Sequence, residues 1–156
     1  MGNISGSEKG FTYLEVIIAI TIIGLFCTMA LPAFDNIVAK ERLKAAARAM
    51  TVHFREVQQL AMAEEQGLAI VFDRSNSYYV DKASKVLERK HLQDGITITL
   101  ANFSCGGGCV QKKLRFTYLG RCTPGRVELT NSKGDKMYII VNSMGRVRTS
   151  DIPPKD

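Results

Sequence analysis

Lys9-Gly10-Phe11-Thr12-Tyr13-Leu14-Glu15-Val16 sets a single carboxylate, Glu15, at the head of a run that carries no charged side chain from Val16 to Phe34. About 20 apolar residues at a rise of about 1.5 Å cross a bilayer core of roughly 30 Å, so the run is long enough for a membrane-spanning helix. Glu15 then falls at or inside the bilayer. A lone carboxylate there is costly unless it meets a cation or takes up a proton, which marks it as a functional residue whose partner must be found. A secretory signal does not fit, because its small-residue cleavage site follows the apolar segment, whereas Gly10 precedes it.

Beyond Phe34 the apolar run passes into an amphipathic pattern. Leu43, Ala47, Met50, Phe54, Val57 and Ala61 recur at steps of four and three, with Lys40, Arg42, Lys44, Arg48, Arg55 and Glu56 at other positions. That is the pattern of a helix with one buried stripe. Its predicted end is Gly67, a favoured C-cap residue. Pro32 removes one N–H from the ladder, so a kink or local melting is expected there, with Gly24 as a second weak point.

After Gly67 come short β-rich runs: Leu68 to Phe72, Tyr78 to Val80, Lys85 to Arg89, Ile96 to Phe103, Lys112 to Tyr118, Arg126 to Thr130, Met137 to Val141 and Arg146 to Arg148. Between them stand turn signals such as Asp94-Gly95, Gly106-Gly107-Gly108, Pro124-Gly125, Lys133-Gly134-Asp135 and Asn142 to Gly145. Short strands with tight connections form antiparallel sheets, and the stripe from Leu43 to Ala61 is the helical face that must cover them. The predicted class is α+β, a long N-terminal helix packed on a C-terminal antiparallel β-sheet domain. Ile96 to Phe103 and Lys112 to Tyr118 are expected to pair as a hairpin.

No catalytic constellation stands out. His53 sits beside the buried stripe and reads as a structural histidine, and His91 lies in a charged linker without a nucleophile at a recognisable spacing. The glycines at 106 to 108 are not followed by Lys-Ser/Thr and do not make a phosphate loop. Cys105, Cys109 and Cys122 lack the second close Cys/His pair that a zinc site requires, and Cys27 in the apolar run reads as a small hydrophobe. No enzyme activity, cofactor or metal is expected. The 156 residues suit one domain plus an anchor, and a net charge of +6 permits binding to nucleic acid or an anionic membrane without requiring it.

The segment from Gly10 to Glu15 resembles the prepilin signal of type IV pilins and of the pseudopilins of type II secretion. That resemblance implies cleavage between Gly10 and Phe11 by a membrane prepilin peptidase, N-methylation of Phe11, and Glu15 as the glutamate that guides assembly. The charges agree with such a role: a freed Phe11 amine is a cation, and pairing it with Glu15 of another subunit removes two uncompensated charges together. On this reading residues 1–10 are the leader and 11–34 the transmembrane and filament-core helix. Residues 35–66 are its amphipathic continuation, 67–150 the β-rich globular domain and 151–156 a disordered tail.

The β-rich half resembles the subgroup holding the H-type minor pseudopilin of type II secretion and related minor type IV pilins, through Ala69-Ile70-Val71-Phe72, Tyr138-Ile139-Ile140-Val141 and Gly145-Arg146-Val147-Arg148. The implied protein is a minor subunit that assembles, or initiates assembly of, a pseudopilus for protein secretion or a type IV pilus. It crosses the inner membrane once with its C-terminal domain in the periplasm. The implied partners are the prepilin peptidase, other pilin or pseudopilin subunits, the inner membrane and a secreted substrate.

This topology puts Cys105, Cys109 and Cys122 outside the cytoplasm, where disulfides persist. At the tip of the expected hairpin, three glycines would let Cys105 and Cys109 approach to bridging range. Cys122 would be left free at the other end, roughly 20 Å from Cys109 at about 3.3 Å per residue. Arg146 and Arg148 alternate onto one strand face, and with Lys112, Lys113, Arg115, Arg121 and Arg126 nearby in sequence they raise the alternative of a DNA-binding minor pilin that serves DNA uptake. Protection of a solvated strand edge by charge is the favoured reading of the pair.

Overall fold

The structure, a computed structural model, describes residues 10–74, 76–104 and 110–153. The expected leader residues 1–9, the Cys105 to Cys109 tip with its disulfide and the final residues 154–156 lie outside the described residues. One helix, α1 (Tyr13–Ala63), is followed by β1 (Leu68–Arg74), β2 (Ser77–Lys82), β3 (Lys85–His91), β4 (Ile96–Ser104), β5 (Val110–Gln111), β6 (Lys113–Phe116), β7 (Gly125–Asn131), β8 (Lys136–Val141) and β9 (Val147–Ser150). The chain divides into two compact units, Met1–Ile37 and Val38–Asp156.

In the first unit, every side chain from Phe11 to Thr28 is exposed. The polar groups among them are satisfied locally, the hydroxyls of Thr21 and Thr28 donating to the carbonyls of Ile17 at 2.8 Å and Leu25 at 2.7 Å. The helix continues through Pro32, so the missing N–H does not end it. Among the described residues no helix is long and apolar enough to cross a membrane.

The second unit holds the core. Leu43, Ala47, Met50, Phe54, Val57 and Ala61, the stripe read from the sequence, are all buried. Phe54 meets the rings of Phe72 and Tyr78 edge-on, with centroids 6.1 and 6.4 Å away. Phe72 stacks in turn on Phe103 at 5.7 Å, which ties the two sheets into one core beneath the helix. One sheet has the order β3-β2-β1-β6 and the other β5-β4-β7-β8-β9, and every pairing is antiparallel.

Three expectations need correction. The helix ends at Ala63 rather than Gly67: Gln66 N–H donates to Ala61 O at 3.1 Å and Glu65 N–H to Met62 O at 3.3 Å, with Glu65 at φ 52°. This is a Schellman cap in which glutamate takes the left-handed position usually given to glycine. The expected hairpin of Ile96 to Phe103 with Lys112 to Tyr118 is only two pairs deep, Phe103 with Gln111 and Ser104 with Val110. The chain then crosses to β1, where Leu68 pairs with Phe116 and Ile70 with Leu114. Leu114 and Phe116 are both buried there, so closing the edge of the first sheet with apolar side chains outweighs extending the hairpin. His91 is not in a linker but is the last residue of β3, paired with Ser77.

One turn is used three times. In Thr117 to Arg121, Asn131 to Asp135 and Asn142 to Arg146, the first residue accepts from the glycine three positions on and donates to the carbonyl four positions on. Gly120, Gly134 and Gly145 have φ of 75°, 88° and 79°. These are type I turns closed by a bulge glycine, a common short hairpin connection. At two of the three sites an asparagine fixes the turn further: Asn131 Oδ1 accepts from the Lys133 and Asp135 amides, and Asn142 Oδ1 from those of Met144 and Arg146.

Candidate functional site

Two places concentrate the residues singled out by sequence. At the first, Thr12 is the N-cap of α1: its Oγ1 accepts from Glu15 N–H at 3.2 Å, and its carbonyl accepts from Val16 N–H at 3.2 Å. Thr12-Tyr13-Leu14-Glu15 therefore has the spacing of a capping box, a second signal that the sequence carries at the lone carboxylate. Glu15 sits in the first turn, where a carboxylate is favoured by the positive end of the helix. Around it Phe11, Tyr13, Leu14, Ile20, Leu25 and Phe26 each expose more than 60% of their surface.

The second place is the turn from Asn142 to Gly145 and the strand after it. A Cβ on Gly145 would lie 2.0 Å from Gln58 Nε2 and 2.5 Å from Gly120 O, and Gln58 Nε2 itself donates to Gly120 O at 2.6 Å. Helix, loop and turn thus close on one point that only glycine can occupy. Cys122 braces the turn from below, its thiol donating to Asn142 O at 3.0 Å, and burial pushes that thiol's pKa up to about 11. Beyond the turn, strand alternation leaves Val147 buried and Arg146 and Arg148 on either side of it exposed.

Arg55 of α1 completes the arrangement. Its Nη2 donates to Val147 O at 3.3 Å, which brings a third guanidinium to an open groove of about 760 Å³ lined also by Gln58, Gln59 and Met62 of the helix and by Arg146 and Arg148. Among the described residues no carboxylate lines it. Neither Arg146 nor Arg148 forms an ion pair among the described residues. Lys112, Lys113, Arg115, Arg121 and Arg126 do not line the groove, and Lys113 is paired with Asp81 at 2.6 Å instead. Arg55 was missed by sequence reading although its signal was there: Arg55, Gln58, Gln59 and Met62 follow helical spacing one position beyond the core residues Phe54, Val57 and Ala61.

His53 is buried between two partners, Nδ1 lying 3.2 Å from Tyr78 Oη and Nε2 3.2 Å from Glu88 Oε2. Burial raises the Tyr78 phenol well above its ordinary value, while hydrogen bonds from Lys90 first and His53 second hold the Glu88 carboxyl below its own. With both nitrogens engaged, the ring joins helix to sheet. No group of three metal-ligating side chains occurs among the described residues.

No protein-family model and no curated protein matches the sequence. Solved structures do. The minor pseudopilin EpsH of the Vibrio cholerae type II secretion system matches with a TM-score of 0.55 and 15% identity over 75% of this chain and 99% of that one. The type IV minor pilin FimU of Pseudomonas aeruginosa matches with a TM-score of 0.55 and 12% identity over 71% of this chain and 90% of the other. The fold is that of a minor pilin. The likeness to both a secretion pseudopilin and a pilus subunit agrees with the minor pilin or pseudopilin resemblance stated from the sequence.

Proposed function

We propose that this protein is a minor subunit that assembles, or initiates assembly of, a type II secretion pseudopilus or a type IV pilus. The observation that carries the reading is the exposed, uncharged and mostly apolar stretch of α1 with one carboxylate in its first turn, attached to a domain with the minor-pilin fold. In this role the prepilin peptidase cuts after Gly10, Phe11 is N-methylated, and residues 11–34 cross the inner membrane with the β-rich domain in the periplasm. On assembly, Glu15 of one subunit pairs with the Phe11 amine of the next, removing two charges from an apolar environment. The work is helix packing and surface recognition rather than catalysis, with other subunits and a secreted substrate as partners.

DNA uptake is the weaker reading. Three guanidinium groups meet at the groove, but one is engaged with Val147 O, and among the described residues no aromatic side chain lines it for stacking with bases.

The test is expression of Gly10→Leu and Glu15→Val in the native host. Gly10→Leu is expected to accumulate as unprocessed protein on immunoblots. Glu15→Val should be processed, with methylated Phe11 at its N-terminus by mass spectrometry, yet be missing from sheared filaments. Normal processing of the first variant, or normal incorporation of the second, would overturn the assignment.

A further inference from the structure

The second sheet ends on β9, and among the described residues no strand pairs with its outer edge. Arg146 O accepts from Asn142 N–H at 3.1 Å, and the register continues with Val141 opposite Val147, Ile140 opposite Arg148 and Ile139 opposite Thr149. Bonded and non-bonded pairs alternate in an antiparallel ladder, so Val147 and Thr149 turn their N–H and C=O groups away from β8. The bond from Arg55 to Val147 O, on the outer side, agrees with that phase. The edge thus borders the groove at Val147, opposite Arg55, Gln58, Gln59 and Met62 of α1, and continues at Thr149 into a smaller cavity where Lys40, Lys44 and Arg48 of α1 stand with Asp135 and Asp151.

We propose that this edge docks an extended acidic segment of another polypeptide, which adds to the sheet as a strand beyond β9. Its main chain pairs with Val147 and Thr149 and replaces the Arg55 bond to Val147 O, which frees that guanidinium. Carboxylates at alternate positions of the added strand fall on one face, where Arg146 and Arg148 also stand. The same arginines reject the commonest wrong occupant: a second β9 would set arginine against arginine, and like charges placed directly opposite are destabilising. Charge on this edge therefore protects it from self-pairing and selects a partner of opposite sign. Duplex DNA would engage the guanidinium groups alone and leave the strand edge unpaired, so the geometry favours a peptide. The inference rests on the chain working as one subunit among others. Its test uses isolated protein, so failure to dock leaves Glu15-dependent assembly standing, and the reverse holds too.

The experiment uses the full chain in a non-ionic detergent and a fluorescein-labelled nine-residue peptide of alternating Glu and Val. The peptide is expected to bind at low ionic strength, and its counterpart of alternating Lys and Val is not. Arg146→Glu combined with Arg148→Glu, both at exposed positions, should weaken binding by about tenfold or more without shifting the melting temperature. Arg148→Lys should retain most of the affinity. Hydrogen exchange at the Val147 and Thr149 amides should slow on binding, which simple charge pairing would not produce. Absence of binding, equal binding by the charge-reversed variant, or binding without protection of those two amides would overturn the proposal. A duplex oligonucleotide that binds through Arg146 and Arg148 where the peptide does not would also overturn it and assign the groove to nucleic acid.

Discussion

Phe26 and Phe54 lie on the same helix, yet Phe26 leaves 67% of its surface exposed and Phe54 none. In the first unit the described apolar side chains of α1 from Tyr13 to Phe26 are exposed; the second restricts them to one stripe and covers that stripe with two sheets. In the first unit the helix is held by its ladder, its N-cap and back-bonded threonines, and its apolar surface is available to something outside the chain. In the second the same helix is a structural wall whose polar flank, from Arg55 to Met62, borders a groove. One continuous secondary-structure element is thus exposed and mostly apolar in one unit and a buried wall of the domain in the other.

Removing one ring from each unit puts that contrast at risk most directly. Phe54→Ala empties a site packed against Phe72 and Tyr78 and is expected to destabilise the β-rich domain by about 3 to 5 kcal/mol. Phe26→Ala should change domain stability by less than about 0.5 kcal/mol, as for an exposed site. Urea unfolding in a non-ionic detergent, followed by near-ultraviolet circular dichroism from the domain's tyrosines, separates them. A large loss from Phe26→Ala would mean that the first unit supports the second, against their division into two compact units.

A second contrast lies between two turns of one kind. Gly134 and Gly145 have φ of 88° and 79°, but a Cβ on Gly134 meets nothing within 4 Å while one on Gly145 meets Gln58 and the Gly120 carbonyl. Gly134→Ala should therefore cost about 1 kcal/mol, the strain of a left-handed alanine. Gly145→Ala should cost about 2 to 3 kcal/mol, because overpacking adds to that strain. Gln58→Ala in the same chain should recover part of the difference. Equal losses at the two glycines would show that the turn, rather than its brace against α1, positions Arg146 and Arg148.

The amino-acid pattern alone carries much of this architecture. The stripe from Leu43 to Ala61 has one helical reading, and the turn glycines punctuate the strands at the right places. What the pattern leaves open is which edge a short strand chooses. Lys113 to Phe116 alternates in and out equally well beside β4 or β1, and only the burial of Leu114 and Phe116 next to Leu68 and Ile70 decides it. The groove is half legible for the same reason. Arg146 and Arg148 are adjacent in a visible motif, whereas Arg55 joins them through a contact spanning 92 residues that no local pattern encodes.

Cys122 probes the brace from its buried side. Its thiol pKa is raised from 9.0 to about 11, chiefly by burial, so the folded state holds this proton where the unfolded chain has released it. The sign follows: the stability linked to this group is complete below about pH 9 and is lost as pH rises from about 9 to about 11. The thiol is only partly shielded from solvent, so screening reduces the linked loss to about 1 kcal/mol. Thermal unfolding of the parent chain and of Cys122→Ala across that range should differ in slope by close to one proton. Parallel profiles would show that the thiol is solvated and does not brace the turn.

The smallest effect is expected where the helix ends. Glu65 holds φ of 52° at the left-handed position of the Schellman cap, where an L-residue costs roughly 1 kcal/mol and glycine almost nothing. Glu65→Gly keeps both cap bonds, since they run through main-chain atoms. It also leaves untouched the neighbouring pair between Glu64 and Lys82. Glycine raises the entropy of the unfolded chain, which offsets part of the gain, so the net stabilisation should be about 0.5 kcal/mol. Glu65→Ala removes the same carboxylate while keeping the Cβ, and is expected to be neutral. If both variants were stabilising by the same amount, the strain would lie in the glutamate's charge next to Glu64 and the negative end of the helix rather than in its backbone, and the cap would have to be read as an electrostatic compromise instead of a conformational one.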